Sequence, residues 1–159
     1  MSATTQPEVV VTKGGEGRTV RFYADVIEIK AQGGDVDVFE TTAHAGCEPP
    51  MHVHEREDES FYVVDGAVTF FAGDSVVHAG PGTYVFAPRG IPHTYAVDSG
   101  TARMVVTASP SGFLQMFDAV QDAFGGTMPA TPSPDDGPRL GGTLAGFGIS
   151  IVGPNPSAA

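Results

Sequence analysis

The segment His52-Val53-His54 is followed, after four residues, by Glu59, and His93 comes later behind Pro88-Arg89-Gly90-Ile91-Pro92. Residues two apart on an extended chain point to the same face, so His52 and His54 can offer their imidazoles to one point. Taken alone, a His-x-His pair equally describes two solvated or hydrogen-bonded histidines. Glu59 heads the apolar run Phe61, Tyr62, Val63, Val64 and shares a face with Phe61 and Val63. A carboxylate at the mouth of a buried strand needs compensation, because an unpaired buried charge is costly or takes up a proton. A divalent cation would supply it. His93 likewise opens a segment with Tyr95 and Val97 on its own face. Each residue could be a polar group at a turn edge; three imidazoles and a carboxylate at matching strand positions read jointly as a metal site.

The elements that must position these groups are short and numerous. Alternating or branched segments fall at Thr19–Tyr23, Val26–Lys30, Asp35–Thr42, Ser60–Val64, Ala67–Phe71, Ser75–Ala79, Tyr84–Ala87, His93–Val97 and Arg103–Ala108. Turn signals separate them, among them Gly33-Gly34, Asp65-Gly66, Gly73-Asp74 and Ser99-Gly100. Such a pattern predicts an all-β sandwich or barrel. After Pro110 the period changes. Phe113, Leu114, Phe117, Val120 and Phe124 have helical spacing, with Ser111 as N-cap and Gly125-Gly126 as the stop. The expected organisation is an N-terminal arm (1–18) with an edge strand at Val9–Val11, and a barrel (19–110). A helix packed on the barrel (111–126) and a Gly/Pro-rich extension (127–159) would follow. Within that extension, Leu140, Leu144 and Phe147 form an amphipathic stretch leading to Ile149–Val152 and a disordered tail.

Composition agrees. At 159 residues the chain is one domain long, and its 21 glycines and 13 prolines are too many for a helical bundle. Hydrophobic residues at 41% and charged residues at 17% exclude wholesale disorder. A net charge of −11 repels phosphate backbones and anionic lipid, so neither nucleic acid nor a membrane is an expected partner. The N-terminus lacks the pattern of a secretory leader, and the lone Cys47 fits a reducing cytoplasm, the expected location.

The motif residues resemble the cupins. Gly46, His52, His54, Glu59 and Gly66 match the fixed positions of the first cupin motif; Gly82, Pro88, Gly90 and His93 match the second, whose final Asn is Val97 here. The motifs span 46–97, and the strand pattern extends the likeness over about 20–108. The resemblance implies an antiparallel jelly-roll β-barrel with a short C-terminal helical part. It also implies one metal per chain, bound inside by His52, His54, Glu59 and His93. Iron, nickel, manganese or cobalt would serve, with zinc acquired on purification. The tail Leu144–Pro154 is similar to that of small single-domain, quercetin 2,3-dioxygenase-like cupins. In that group the glutamate equivalent to Glu59 is both ligand and general base.

The leading expectation is thus a metal-dependent dioxygenase acting on a flavonol-like or other enolisable aromatic or polyketide substrate, with dioxygen as co-substrate. The alternatives are a metal-dependent cyclase, isomerase or lyase without oxygen chemistry, and a non-catalytic small-molecule-binding cupin. A homodimer is expected. His44 and His78 read as surface or turn histidines, Cys47 as a packed small residue, and Glu55, Glu57 and Asp58 as solvated loop charges. The aromatics Phe61, Phe70, Phe71, Tyr84, Phe86, Tyr95 and Phe117 read mainly as core.

Overall fold

The computed structural model describes residues 9–158. Period-2 alternation builds two antiparallel sheets facing one another. The first contains β1 (Thr19–Phe22), β2 (Asp25–Ala31), β3 (Asp37–His44), β10 (Thr101–Ser109), β5 (Asp58–Asp65) and β8 (Tyr84–Ala87), in that spatial order. The second runs β11 (Ile149–Gly153), β4 (Met51–His54), β9 (His93–Val97), β6 (Val68–Ala72) and β7 (Ser75–Ala79). This is the jelly-roll barrel that the strand pattern and motifs predict.

Inward faces follow the pleat. Asp25, Ile27 and Ile29 on β2, Phe39, Thr41 and Ala43 on β3, and Met104, Val106 and Ala108 on β10 are all buried. Each large apolar side chain so removed from water contributes about 1.5–3 kcal/mol. Gly66 shows why one turn is fixed in type. Its φ is +85°, and a Cβ there would stand 2.6 Å from the Thr101 carbonyl oxygen and 2.8 Å from Ala102 Cα. Only glycine fits both constraints.

Helix α1 (Gln115–Ala123) buries Met116, Phe117 and Val120. Phe117 meets Phe39 edge-on at 5.8 Å, and Phe113 stacks on Phe39 at 5.8 Å. The glycine stop works as expected: Gly126 N–H bonds to Gln121 O at 2.8 Å and Gly125 N–H to Asp122 O at 3.0 Å, the paired bonds of a glycine-terminated helix. The expected Ser111 cap does not form. The Ser111 hydroxyl instead donates to Gly34 O at 2.7 Å. Buried Asp37, reaching over from β3, accepts from the Gly112 and Leu114 amides at 2.8 and 3.1 Å. A carboxylate fixed on a strand outcompetes a mobile serine for those donors.

The described part of the Gly/Pro-rich extension carries regular structure where the Leu140–Phe147 stretch and the Ile149–Val152 run fall. It holds α2 (Gly137–Ala145), which buries Leu140 and Leu144. It also supplies β11, whose Ile149, Ser150 and Ile151 pair with His54, Val53 and His52. Nor is the start of the tail loose, because the Asn155 amide donates to Pro49 O at 3.0 Å and Tyr95 O at 2.9 Å. Val9–Val11 forms no strand within this chain and is exposed; residues 1–8 of the expected arm lie outside the described residues. Among the described residues no helix is long and apolar enough to cross a membrane.

Candidate metal centre

Strands β4, β5 and β9 bring the four sequence-predicted residues together. One ligand atom from each of His52, His54, Glu59 and His93 lies within 4.8 Å of all the others. Donors about 2.1 Å from a shared ion stand roughly 3–4 Å apart, so the cluster has nearly the required spacing. His54, Glu59 and His93 are buried and His52 is half-buried. The register explains the convergence, since His52 is paired with His93 across β4 and β9.

Backbone carbonyls set the tautomers of two rings. His52 Nδ1 lies 2.8 Å from Pro50 O, and His93 Nδ1 lies 2.9 Å from Ile91 O. A carbonyl can only accept, so each Nδ1 carries a proton and each neutral ring keeps its Nε2 lone pair for the cluster. His93 Nε2 stands 3.1 Å from Glu59 Oε2. Two acceptors at that distance need a proton or a cation between them. His54 supports the cation. Its Nε2 is 3.3 Å from Glu59 Oε2 and its Nδ1 is 3.5 Å from Glu57 Oε2. Both are within ion-pair range, yet poor angles leave both buried nitrogens without a hydrogen bond. Buried ring nitrogens that face carboxylates without a hydrogen bond have the chemistry of a metal-ligand set. Three imidazoles and one carboxylate fit a divalent transition metal.

The electrostatics have the same sign. Burial, joined by repulsion from His93 and His54, pushes His52 down to about 4. Burial also opposes charge on His54, but Glu59 and Glu57 outweigh it and raise that ring to about 9. Burial would raise Glu59; the neighbouring His54 and His93 override it and hold the carboxyl well below the usual range.

A cavity of about 100 Å³ opens beside the cluster, lined by Ile27, Phe61, Tyr95, Phe113, Met116 and Leu144 among others. Phe113 packs against the His54 ring at 5.3 Å. Of the aromatics expected in the core, Tyr84 and Phe86 are exposed on the outer face of edge strand β8. Glu57 is not a solvated loop charge: it is buried beside His54. Asp58 is tied to Arg89, Oδ2 to Nη2 at 2.9 Å and Oδ1 to Nε at 3.0 Å. Glu55 is exposed and Cys47 is buried, as expected. His44 and His78 stay outside the cluster, His44 beside Asp25 and His78 on Thr69 Oγ1. Asp25 and Thr41, which also line the cavity, were not among the sequence candidates. Their place in the period-2 pattern with Ile27 and Phe39 was the available signal.

A double-sheeted antiparallel barrel holding a His₃Glu cluster inside defines a class, and comparison with known proteins places the chain in it. Residues 39–108 match the Cupin domain family. Those residues form a cupin domain. It is 26% identical over 120 residues to quercetin 2,3-dioxygenase of Bacillus subtilis (strain 168), a match covering 73% of this chain and 36% of that protein. The chain thus spans about a third of the length of that curated relative. Among solved structures it resembles KdgF from a Halomonas species, with TM-score 0.63, 20% identity, and 68% and 99% of the two chains covered. It also resembles an RmlC-like cupin from Shewanella frigidimarina, with TM-score 0.60, 17% identity, and 67% and 96% covered. A third likeness is to the nucleoside dehydratase Pac13 of Streptomyces, with TM-score 0.55, 20% identity, and 70% and 88% covered.

Proposed function

We propose that the protein is a metal-dependent oxygenase acting on an enolisable hydroxy-carbonyl compound, flavonol-like or a smaller aromatic or polyketide analogue. The observation that carries this reading is the convergence of His52, His54, Glu59 and His93 beside an apolar cavity. The distant likeness to a quercetin 2,3-dioxygenase supports it. A divalent transition metal held by these four residues would supply Lewis acidity toward the substrate's oxygen atoms and redox access to dioxygen. The chain supplies the rest. Glu59 Oε2 is held between two imidazole nitrogens. Among the described residues no protein donor meets Oε1, which leaves that atom to take the acidic hydroxyl proton. Phe61 and Phe113 restrict water at the cluster, and the carbonyls of Pro50 and Ile91 keep two rings oriented.

One observation favours a second reading. A cavity of about 100 Å³ is small beside the usual ligand pocket of ~300 Å³ or more, which suits a compact substrate. Enolate chemistry without dioxygen, as in a lyase, isomerase or dehydratase, needs no further room. The deciding experiment loads the protein separately with Fe(II), Mn(II), Co(II) and Ni(II) and follows oxygen uptake with flavonols and compact hydroxy-ketones. Oxygen consumed in step with substrate supports the oxygenase; turnover that persists under argon supports the second reading. The homodimer and the cytoplasmic location belong to the same proposal.

A further inference from the structure

The cavity wall carries a second set of polar groups. Asp25 and Thr41 line it together with the histidines. In the β2–β3 ladder Ile27 faces Thr41, and Asp25 is two residues before Ile27, so Asp25 and Thr41 lie diagonally on adjacent strands with both side chains inward. Both are 3% exposed. Asp25 Oδ1 accepts the His44 amide at 2.7 Å, with His44 Nδ1 at 3.4 Å. Among the described residues no protein donor meets Oδ2. Thr41 Oγ1 is buried without any hydrogen-bond partner. A free carboxylate oxygen needs a donor, and an orphaned hydroxyl is costly until it finds a partner. Tyr95 and the cluster residues apart, the rest of the cavity lining is mainly apolar, and no protein group among the described residues bonds either atom.

We propose that Asp25 and Thr41 form a specificity pole that binds a hydroxyl group on the substrate, distinct from the oxygens that face His52, His54, Glu59 and His93. A hydroxyl donates to Asp25 Oδ2 while accepting from Thr41 Oγ1, which completes both groups at once. The substrate class is therefore a compact enolisable hydroxy-carbonyl compound carrying a second, non-chelating hydroxyl. This rests on the metal-centred reading above. The groups facing Asp25 are consistent with a retained polar function. His44 is its hydrogen-bond partner, the Glu48 carboxylate repels it, and Tyr95 lines the same cavity.

Two pyranones provide a matched probe. Kojic acid and allomaltol share one chelating hydroxy-ketone, and kojic acid alone bears a hydroxymethyl group. Their affinities for the Co(II)-loaded protein are read by calorimetry and by the cobalt absorption bands. Kojic acid should bind wild type about tenfold more tightly, the scale of a hydrogen bond to a charged group. In Asp25→Asn and in the near-isosteric Thr41→Val the preference should shrink to about threefold or less, with allomaltol affinity unchanged. Thr41→Val alone decides the matter if Asp25→Asn does not fold. Equal affinity of the two probes for wild type, as when a water molecule satisfies the pole, overturns the inference and leaves the metal reading standing. So does an undiminished preference in the variants. Failure of both pyranones to perturb the bound cobalt overturns the metal-centred reading and the inference with it.

Discussion

Ile149 sits directly opposite His54 in the antiparallel β11–β4 pair. The last strand of the chain thus holds in place the strand that carries two of the four clustered residues. Ile149 is 2% exposed, so Ile149→Ala should cost about 2–5 kcal/mol in urea unfolding. It should also weaken cobalt binding, though it removes no donor atom. Unchanged cobalt affinity in the folded variant would show that β4 keeps its geometry without this support.

Glu59→Gln separates anchoring from proton transfer. A neutral amide is the poorer ligand, so metal affinity should fall. When the variant is forced to full occupancy, turnover should still drop roughly 10²–10⁴-fold if the carboxylate is the general base. Rates within about threefold of wild type at full occupancy would leave Glu59 as a ligand only.

Asp25 should make stability depend on pH in an unusual direction. Burial raises its carboxyl from 3.8 to about 6, against the opposing hydrogen bonds from His44, while Glu48 adds to the rise. Between those values the folded chain holds a proton that the unfolded chain has released. This group's contribution is therefore most favourable below about pH 4 and declines as pH rises through about 6, by roughly 3 kcal/mol at most. Asp25→Asn lacks that slope. Urea melts should show the variant gaining on wild type as pH rises across this window; parallel curves would contradict the shift.

Gly66→Ala introduces a Cβ at 2.6 Å from a backbone oxygen with φ at +85°. Because strand backbone cannot move aside as a flexible side chain could, a loss of about 2–4 kcal/mol is expected by chemical denaturation. The same change at Gly80, which has open space and no positive φ, should be nearly silent.

A homodimer should appear in light scattering as twice the 16.4 kDa chain mass. Tyr62, Tyr84 and Phe86 are exposed, and the register pairs Tyr62 with Tyr84 and Ser60 with Phe86. This aromatic outer face at a sheet edge suits a second copy of the chain. Tyr84→Ser with Phe86→Ser should shift the species toward monomer; a wild-type monomer at tens of micromolar would remove the expectation.

The barrel was legible because its strands alternate cleanly. Ser75–Ala79, Tyr84–Ala87 and His93–Val97 are found at their expected bounds. The cluster was legible because three of its residues share one short stretch and the fourth opens a strand. What escaped had no local signature. Ile149–Gly153 reads as a short apolar run after glycines, and only its pairing with β4 makes it barrel. Glu57 looks like its exposed neighbour Glu55 until the chain folds it under His54. Asp37 binds the Gly112 and Leu114 amides of the turn leading into α1, some 75 residues away in sequence, which no window along the chain reveals. Tyr84 and Phe86 were placed in the core by their type, whereas their strand lies at an uncovered edge.

The β4–β9 join has one registered residue pair, His52 with His93, while β6 and β9 register over five. It is a seam: the Thr94 hydroxyl donates to Pro49 O at 2.7 Å, the Val97 amide donates to Glu48 at 3.0 Å, and the Asn155 amide reaches Pro49 on one side and Thr94 and Tyr95 on the other. An ion shared by His52 and His93 would act as a rivet between two halves of one sheet. Amide hydrogens of Met51–His54 and His93–Val97 should then exchange faster on chelation, while the Val68–Ala79 hairpin keeps its pace. Loss of metal would loosen the wall along that line and leave the rest of the barrel shut.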